Sequence, residues 1–318
     1  MLQEMLQQIS PLDSAAMETA RQHWDAIAKP LHSLGRLEDL VVQLAGITGT
    51  ANLPPRKKAV LIFCADNGVV AEGVTQTTQA VTAAVTRNFT MGIASVNALS
   101  RVCGADVFPV DIGVAEELHC DGIISRKIAA GYTLIFTGEM GIGNTTTSSA
   151  VFSVLQQLPP EQVTGRGAGL SGAGLRHKVE VIAKAIALHQ PDRNDVLDVL
   201  SKVGGLDICG MAGAFLGGAV YHVPVLIDGF ISAVAANCAV RLVPLCRQYL
   251  FASHCSREPA GKLALEALGL RAYLDCDMCL GEGTGGVIGA KLFDFALAAY
   301  GEIAGFDAVG IAPYEKLQ

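Results

Sequence analysis

Hydrophobic and polar residues alternate along this chain in blocks that have the lengths of strands and helices. Short apolar runs predict buried strands in six places: residues 59–65, 105–110, 132–136, 223–227, 249–252 and 271–274. Longer apolar or amphipathic segments predict helices between and after them: residues 79–100, 150–158, 174–189, 194–202, 208–220, 231–246, 259–268 and 287–303. Strands and helices that take turns are typical of α/β proteins, so we expect a mostly parallel sheet with helices on both faces.

The first 58 residues have a different pattern, because they contain helical spacing and no strand. Asp13 is a candidate N-cap, and the helix after it ends at Lys29-Pro30. A second helix follows Ser33. We therefore predict three parts: residues 1–58 as the N-terminal helical part of a small domain, 59–286 as a large α/β substrate-binding domain, and 287–318 as a C-terminal helix and tail that pack with the small domain.

Composition and charge narrow the function classes. Of the 318 residues, 51% are hydrophobic and only 17% are charged, which suits buried parallel strands covered by closely packed helices. The net charge is −7 and there is no basic block. This balance argues against nucleic acid and anionic membranes as partners and favours a small-molecule substrate.

Three further features bear on compartment and cofactors. The N-terminus has no basic region before an apolar run, so we expect a cytoplasmic protein. Residues 208–227 carry no charge, but glycines and a proline interrupt them, which favours a buried helix and strand over a membrane span.

The nine cysteines indicate reduced thiols. Cys276 and Cys279, with Cys255, suggest zinc only weakly because a second paired motif is missing; we expect no metal and no cofactor.

The residues that follow the predicted strands are candidates for chemistry, because ligands of open parallel sheets bind beyond the carboxyl ends of the strands. The longest such stretch is the glycine-rich segment 138–146. Gly141 and Gly143 let a ligand approach the backbone, and Asn144 and Thr145 offer donors at a helix start, where an anion is favoured. Glu139 would repel phosphate, so it suits a hydroxyl or a cationic ring. A plain capped turn remains the alternative.

Two more segments carry candidate ligands for a phosphate. Lys178 lies in the first turns of a helix that follows the glycine-rich residues 165–174, and Ser256 lies after the predicted strand at 249–252. The alternative for Lys178 is a solvated lysine on a helix surface.

A third segment offers a candidate base. Glu282 stands alone between glycines in 281–286, and its apolar neighbours Met278 and Leu280 would exclude water and raise its pKa.

Taken together, these stretches closely resemble the nicotinate-nucleotide:dimethylbenzimidazole phosphoribosyltransferase family. The resemblance covers nearly the whole chain and rests on these stretches: residues 33–38, 65–69, 72–74, 138–146, 165–167 with Lys178, 228–230, 253–254 and 277–285. It implies a Rossmann-like fold with a smaller helical domain from the chain termini, a dimer, and no metal.

The resemblance also implies residue roles. Glu282 would be the catalytic base, Glu139 and Gly141 would line nicotinate mononucleotide, and Lys178 and Ser256 would hold its phosphate. The reaction would move phosphoribose to 5,6-dimethylbenzimidazole or a related aromatic base, giving an α-ribotide and nicotinate for cobamide synthesis. Because the pyridinium leaving group is already cationic, no pyrophosphate or magnesium is needed.

Departures from the family pattern leave the acceptor open. Thr147 stands where proline or alanine is expected, and the residues around Cys255 and Arg257 differ. We expect the acceptor pocket to include four residues: Asn67, Gln79, Met278 and Leu280. Adenine or a phenol with a non-identical partner subunit, or a catalytically silent subunit, are the alternatives. A nicotinamide-dependent dehydrogenase is disfavoured, since the dinucleotide fingerprint is missing.

Overall fold

The structure, a computed structural model, describes residues 2–115 and 124–314. Its centre is a parallel sheet of five strands in the spatial order β2-β1-β3-β4-β5. The strands are β1 (Lys58–Cys64), β2 (Ala105–Asp111), β3 (Leu134–Met140), β4 (Val225–Ile227) and β5 (Leu250–Ala252). The predicted α/β class and the parallel sheet are therefore confirmed.

The helices of the described residues are α1 (Leu2–Leu6), α2 (Ser14–Ala26), α3 (Arg36–Thr48), α4 (Ala80–Thr90), α5 (Ser95–Cys103), α6 (Ile124–Ala129), α7 (Asn144–Gln156), α8 (Pro160–Val163), α9 (Gly172–His189), α10 (Val196–Val203), α11 (Leu206–Val220), α12 (Phe230–Leu242), α13 (Gly261–Ala267), α14 (Thr284–Glu302) and α15 (Phe306–Val309). Short 3₁₀ helices are formed by Gly68–Glu72 and Pro244–Tyr249.

Both faces of the sheet are covered, as the sequence predicts. Side chains of a strand point alternately to the two faces. Phe136 of β3 lies against Gly286 of α14, whereas Phe63 of β1 lies against Gly210 of α11 on the opposite face. Glycine at both helix positions lets the helix backbone approach the sheet closely.

The two ends of the chain pack against each other. The rings of Trp24 and Tyr300 lie 5.0 Å apart between centroids, and Ile27 forms an isolated antiparallel bridge with Gly305. Asp13 caps α2 as predicted, since its carboxylate accepts a 2.9 Å hydrogen bond from the Ala16 N–H. The buried core runs without interruption from these helices into the sheet. The domain boundaries near residues 58 and 287 remain predictions.

The prediction of one continuous helix over residues 79–100 is wrong. The segment 79–100 forms two helices, α4 and α5, which are separated around Gly92. Gly92 has a φ of +73°, which ends the helical path. The Asn97 side chain then joins the two parts: it accepts from the Ala94 N–H at 3.2 Å and donates to the Phe89 carbonyl at 3.1 Å.

Other boundaries differ for reasons outside the local pattern. Residues 271–274 form no strand; only Leu274 makes a single bridge, to His254. The helix predicted to reach Cys246 ends at Leu242, before Pro244 begins a 3₁₀ turn. The strand predicted at 132–136 runs from Leu134 to Met140, and the helix after it already begins at Asn144.

The extension of β3 changes the interpretation of its glycine. Gly138 lies inside the strand and not in a turn. A Cβ atom at this position would lie 2.7 Å from the Glu282 carbonyl carbon. The absence of a side chain at Gly138 therefore lets the segment that carries Glu282 pack closely against β3.

The charge-free segment 208–227 folds as most of α11 and β4, as predicted. In residues 2–115 and 124–314, no helix has both the length and the hydropathy that a bilayer-spanning segment requires.

Candidate active site

A cavity of about 390 Å³ lies at the carboxyl edge of the sheet, beyond β3, β4 and β5. It brings together most of the residues that the sequence predicts for the site: Glu139, Gly141, Gly143, Asn144, Thr145, Lys178, Ser256, Leu280 and Glu282. Apolar side chains of α4, Val81 and Val85, also line it. The lining of this one cavity includes two cations (Lys178 and Arg166), several hydroxyl and amide donors, four carboxyl groups (Glu139, Asp228, Glu258 and Glu282) and an apolar wall.

Three residues predicted for the acceptor pocket lie outside the lining of this cavity. Asn67 is buried and braces the end of β1, since it accepts a 3.3 Å hydrogen bond from Thr147 and donates to the Ala65 carbonyl at 3.4 Å. Gln79 precedes α4, and Met278 is half-buried. Only Leu280, which is 58% exposed, reaches the cavity.

Lys178 is buried, not solvated. Only 1% of it is exposed, although it lies on α9. Its Nζ donates to Thr145 Oγ1 at 2.7 Å and to the Gly165 carbonyl at 3.2 Å. Burial lowers the pKa of Lys178 to about 8, and the nearby Glu258 carboxylate opposes that decrease. The ammonium group faces the cavity from a position in which water cannot screen it fully.

Ser256 also lines the cavity. It is buried, and its Oγ accepts a 3.3 Å hydrogen bond from the Glu258 N–H. Glu258 and Arg166 also line the cavity. Burial raises the pKa of Glu258, while Lys178 and Arg257 oppose this. The charge of this region can therefore change with the protonation of Glu258.

Glu139 occupies the end of β3 and is buried. Its carboxyl group accepts hydrogen bonds from the Asn144 side-chain amide and from the Glu282 backbone N–H. Burial raises the pKa of Glu139 well above its usual range, and the nearby charge of Asp207 raises it further. Burial therefore favours the neutral form of Glu139, and this form lacks the repulsion that a carboxylate exerts on a phosphate.

Asp207 is a site-forming residue that the sequence analysis missed. It lies in the first turn of α11, is fully buried, and interacts with Asn67 and Asn144. Burial raises the pKa of Asp207 to about 6. The signal was present in the sequence, because Asp207 is the last charged residue before the charge-free segment 208–227.

Glu282 lies in a turn with an unusual backbone. Its φ is +63°, and Gly281 and Gly283 on either side have φ values of +84°. The left-handed region is costly for a residue with a Cβ atom, so packing must hold Glu282 there. A Cβ on Gly281 would collide with the Glu139 carboxylate, which fixes glycine at that position.

The Glu282 carboxyl group has the environment of a base. Burial raises the pKa of Glu282, the charge of Asp228 adds to this, and the Val96 N–H at the start of α5 opposes it. Its Oε2 atom is buried and has no hydrogen-bond partner within the described part of the chain. A carboxyl group in this state can take up a proton from a ligand in the cavity.

The cysteines of the described residues are not grouped into a metal site. Cys276 and Cys279 are exposed and Cys255 is half-buried; Cys120 lies outside the described residues. Among the residues that the structure describes, no three His, Cys, Asp or Glu side chains are grouped as ligands of a metal ion.

The whole chain is similar to known phosphoribosyltransferases. Residues 9–131 and 120–311 match the family DBI_PRT, described as "Phosphoribosyltransferase". Relatives from Acetivibrio thermocellus and Clostridium acetobutylicum, each called nicotinate-nucleotide–dimethylbenzimidazole phosphoribosyltransferase, are 44% and 41% identical. The alignments cover 99% and 100% of this chain, and 99% of each relative.

Solved structures agree in fold. The crystal structure of CobT from Thermus thermophilus has a TM-score of 0.89 and 35% identity, over 94% of this chain and 100% of that one. The chain therefore belongs to the nicotinate-nucleotide–dimethylbenzimidazole phosphoribosyltransferase family.

Proposed function

We propose that this protein transfers the 5-phosphoribosyl group of nicotinate mononucleotide to 5,6-dimethylbenzimidazole or a related aromatic base. The products are an α-ribotide and free nicotinate, and the reaction serves cobamide synthesis. The observation that carries the proposal is the pairing, in one cavity, of a buried lysine with a water-shielded glutamate beside an apolar wall.

The donor nucleotide binds at the side of the cavity that holds the cation. Lys178, Ser256 and Thr145 take the phosphate, because all three line the cavity and the Lys178 ammonium group already contacts Thr145. Gly141, Gly143 and Asn144 bring backbone and amide groups to the nucleotide at the start of α7, where partial positive charge favours an anion. Glu139 forms a hydrogen bond with the ribose or with the nicotinate ring substituent.

The acceptor lies between the apolar side chains of α4 and Leu280. One nitrogen attacks C1 of the ribose while Glu282 removes the proton from the other nitrogen. When the glycosidic bond breaks, the pyridinium ring takes the bonding electrons and leaves as nicotinate with an uncharged ring nitrogen. The leaving group therefore needs no proton from an acid, and the protein needs only one base. Attack opposite the leaving group inverts the configuration at C1, which gives the α-linked product.

The finer assignments belong to the same proposal. The protein acts as a dimer, with an identical or a non-identical partner chain, and works in the cytoplasm. The helical segments 1–58 and 287–318 form the small domain, and residues 59–286 the substrate-binding domain. An acceptor other than a benzimidazole, such as adenine or a phenol, is the second candidate, since the residues lining the acceptor side are mostly apolar and give little polar readout.

A panel of acceptors tests the reaction directly. The purified protein is mixed with nicotinate mononucleotide and one benzimidazole, purine or phenol at a time, and products are identified by mass. Apolar pockets discriminate by only about 1 to 3 kcal/mol per methylene, so several benzimidazoles should give ribotides. Free nicotinate should appear in equal amount. If no acceptor releases nicotinate, the proposed activity is wrong.

The pH dependence of donor binding tests the role of Lys178. The lysine is charged below its pKa of about 8 and neutral above it. A phosphate prefers the charged form, so the dissociation constant of nicotinate mononucleotide should rise above pH 8, by up to about tenfold per pH unit. Calorimetry between pH 7 and 10 measures this, because the phosphate itself stays doubly ionised there. A flat profile would remove Lys178 from the phosphate site.

A further inference from the structure

The helix that follows the Glu282 turn begins without a capping side chain of its own. The N-cap of α14 is Gly283, and its first-turn N–H groups need acceptors. Asp228, directly after β4, supplies them from a different part of the chain. Its Oδ2 accepts from the Gly283 N–H at 3.1 Å, and its Oδ1 accepts from the Gly286 N–H at 3.0 Å.

Asp228 is itself tightly enclosed. Only 2% of it is exposed, and a further backbone hydrogen bond reaches it from Gly285. His254, after β5, lies on its other side, and a Cβ on Gly285 would collide with the His254 ring. Burial raises the pKa of Asp228, whereas His254 and the N–H groups oppose this. Both carboxylate oxygens are thus engaged by the backbone that directly follows Glu282.

We propose that Asp228 is a positioning residue for Glu282: it clamps the start of α14 and thereby holds the Glu282 carboxyl group at the cavity in its left-handed turn. The inference rests on the proposed function, in which Glu282 is the base. A local hydrogen bond also holds the turn: the Thr284 hydroxyl donates to the Gly281 carbonyl at 2.7 Å. Asp228 is the long-range part of this clamp.

Asp228 also acts on Glu282 through its charge. The groups that face Glu282 are Asp228, the Glu139 carboxyl group and the Val96 N–H, with His254 behind Asp228. The negative charge of Asp228 raises the pKa of Glu282. Replacing Asp228 by a neutral residue should therefore lower that pKa and move the acid limb of the rate profile to lower pH.

Asp228→Asn tests the clamp. The amide keeps the size of the carboxylate, but its NH₂ group is a donor, so it cannot accept the hydrogen bond from one of the two backbone N–H groups, Gly283 or Gly286. A displacement of about 1 Å can cost 100-fold, so kcat should fall by about 10- to 100-fold. The dissociation constant of nicotinate mononucleotide should stay within about twofold, because the phosphate ligands are elsewhere. The acid limb of kcat should shift downward, which a loss of folded protein alone would not produce. An unchanged kcat, or a fixed acid limb, would overturn the inference.

A double variant separates positioning from independent effects. In the Glu282→Gln background, Asp228→Asn should reduce turnover by less than about twofold further, because residues that act as a unit are not additive. Losses that multiply would contradict the proposal. Asp195→Ala is the matched control: Asp195 caps α10 through the Leu197 and Asp198 N–H groups, away from the cavity, and its loss should leave kcat unchanged.

Amide hydrogen exchange gives a readout that does not depend on activity. The peptide containing Gly283 and Gly286 should exchange faster in Asp228→Asn than in the wild type, and the peptide at α10 should not. If the wild type shows no transfer activity but exchange follows this pattern, the proposed function fails and the clamp stands. If the Asn variant does not fold, Asp228→Ser, which keeps one acceptor, is measured in the same way. Unchanged exchange in a folded variant excludes the clamp.

Discussion

Glu282→Gln should lower turnover by about 100- to 10,000-fold, the usual contribution of a general base. Glutamine keeps the size of the side chain and loses its basicity. The binding of nicotinate mononucleotide should change by less than about twofold, because Glu282 acts on the acceptor. Single-turnover assays and calorimetry measure the two quantities. This is the largest effect that we expect from one substitution.

The pH profile of the same variant sharpens the test. Burial raises the pKa of Glu282, so wild-type turnover should fall in acid as the carboxylate takes up a proton. This acid limb should be missing in Glu282→Gln. Glu302→Gln, at the exposed far end of α14, is the control and should behave like the wild type. More than about a third of wild-type turnover in Glu282→Gln, against the expected factor, would mean that another group takes the proton.

Lys178→Ala should weaken donor binding by about 1 to 3 kcal/mol, or about 5- to 150-fold, as for the loss of a charge-assisted hydrogen bond. The reason is the burial of the ammonium group, which a distant surface lysine cannot replace. The Michaelis constant for nicotinate mononucleotide should rise by a similar factor, with a smaller change in kcat.

Two further variants separate charge from packing at this position. Lys178→Met keeps most of the buried stem and should lose donor affinity as the alanine variant does, while unfolding closer to the wild-type temperature. Lys184→Ala removes an exposed charge from the same helix and should leave binding unchanged. Wild-type donor affinity in Lys178→Met would show that the phosphate binds without this cation.

The sequence predicted the site best where a local pattern and a general rule coincide. Apolar runs identify β1 and β3, and ligands bind beyond the carboxyl ends of parallel strands. Together these place Glu139 and Asn144 at the cavity. The strand at 271–274 was wrong because an apolar run alone cannot show whether a partner strand is beside it; only Leu274 finds one, for a single residue.

What the sequence could not supply is the contact between distant segments. Lys178 has the spacing of an ordinary helix residue, yet it is buried among segments distant in the chain, where it contacts Thr145 of α7 and the Gly165 carbonyl. The cap that Asp228 gives to α14 joins residues 55 and 58 positions apart in the chain. The hydrophobic periodicity of the sequence cannot reveal a contact between residues so far apart in the chain. The same holds for Asn67, whose hydrogen bonds to Ala65 and Thr147 support the end of β1; its contact with the acceptor stays a prediction.

The backbone of Glu282 has a consequence for how this enzyme can vary. A left-handed φ and a buried oxygen without a partner among the described residues both cost folding free energy, so selection for stability alone would place glycine or asparagine at this position. Either residue would relax the turn and abolish the base. The position therefore marks a trade-off between folding stability and activity.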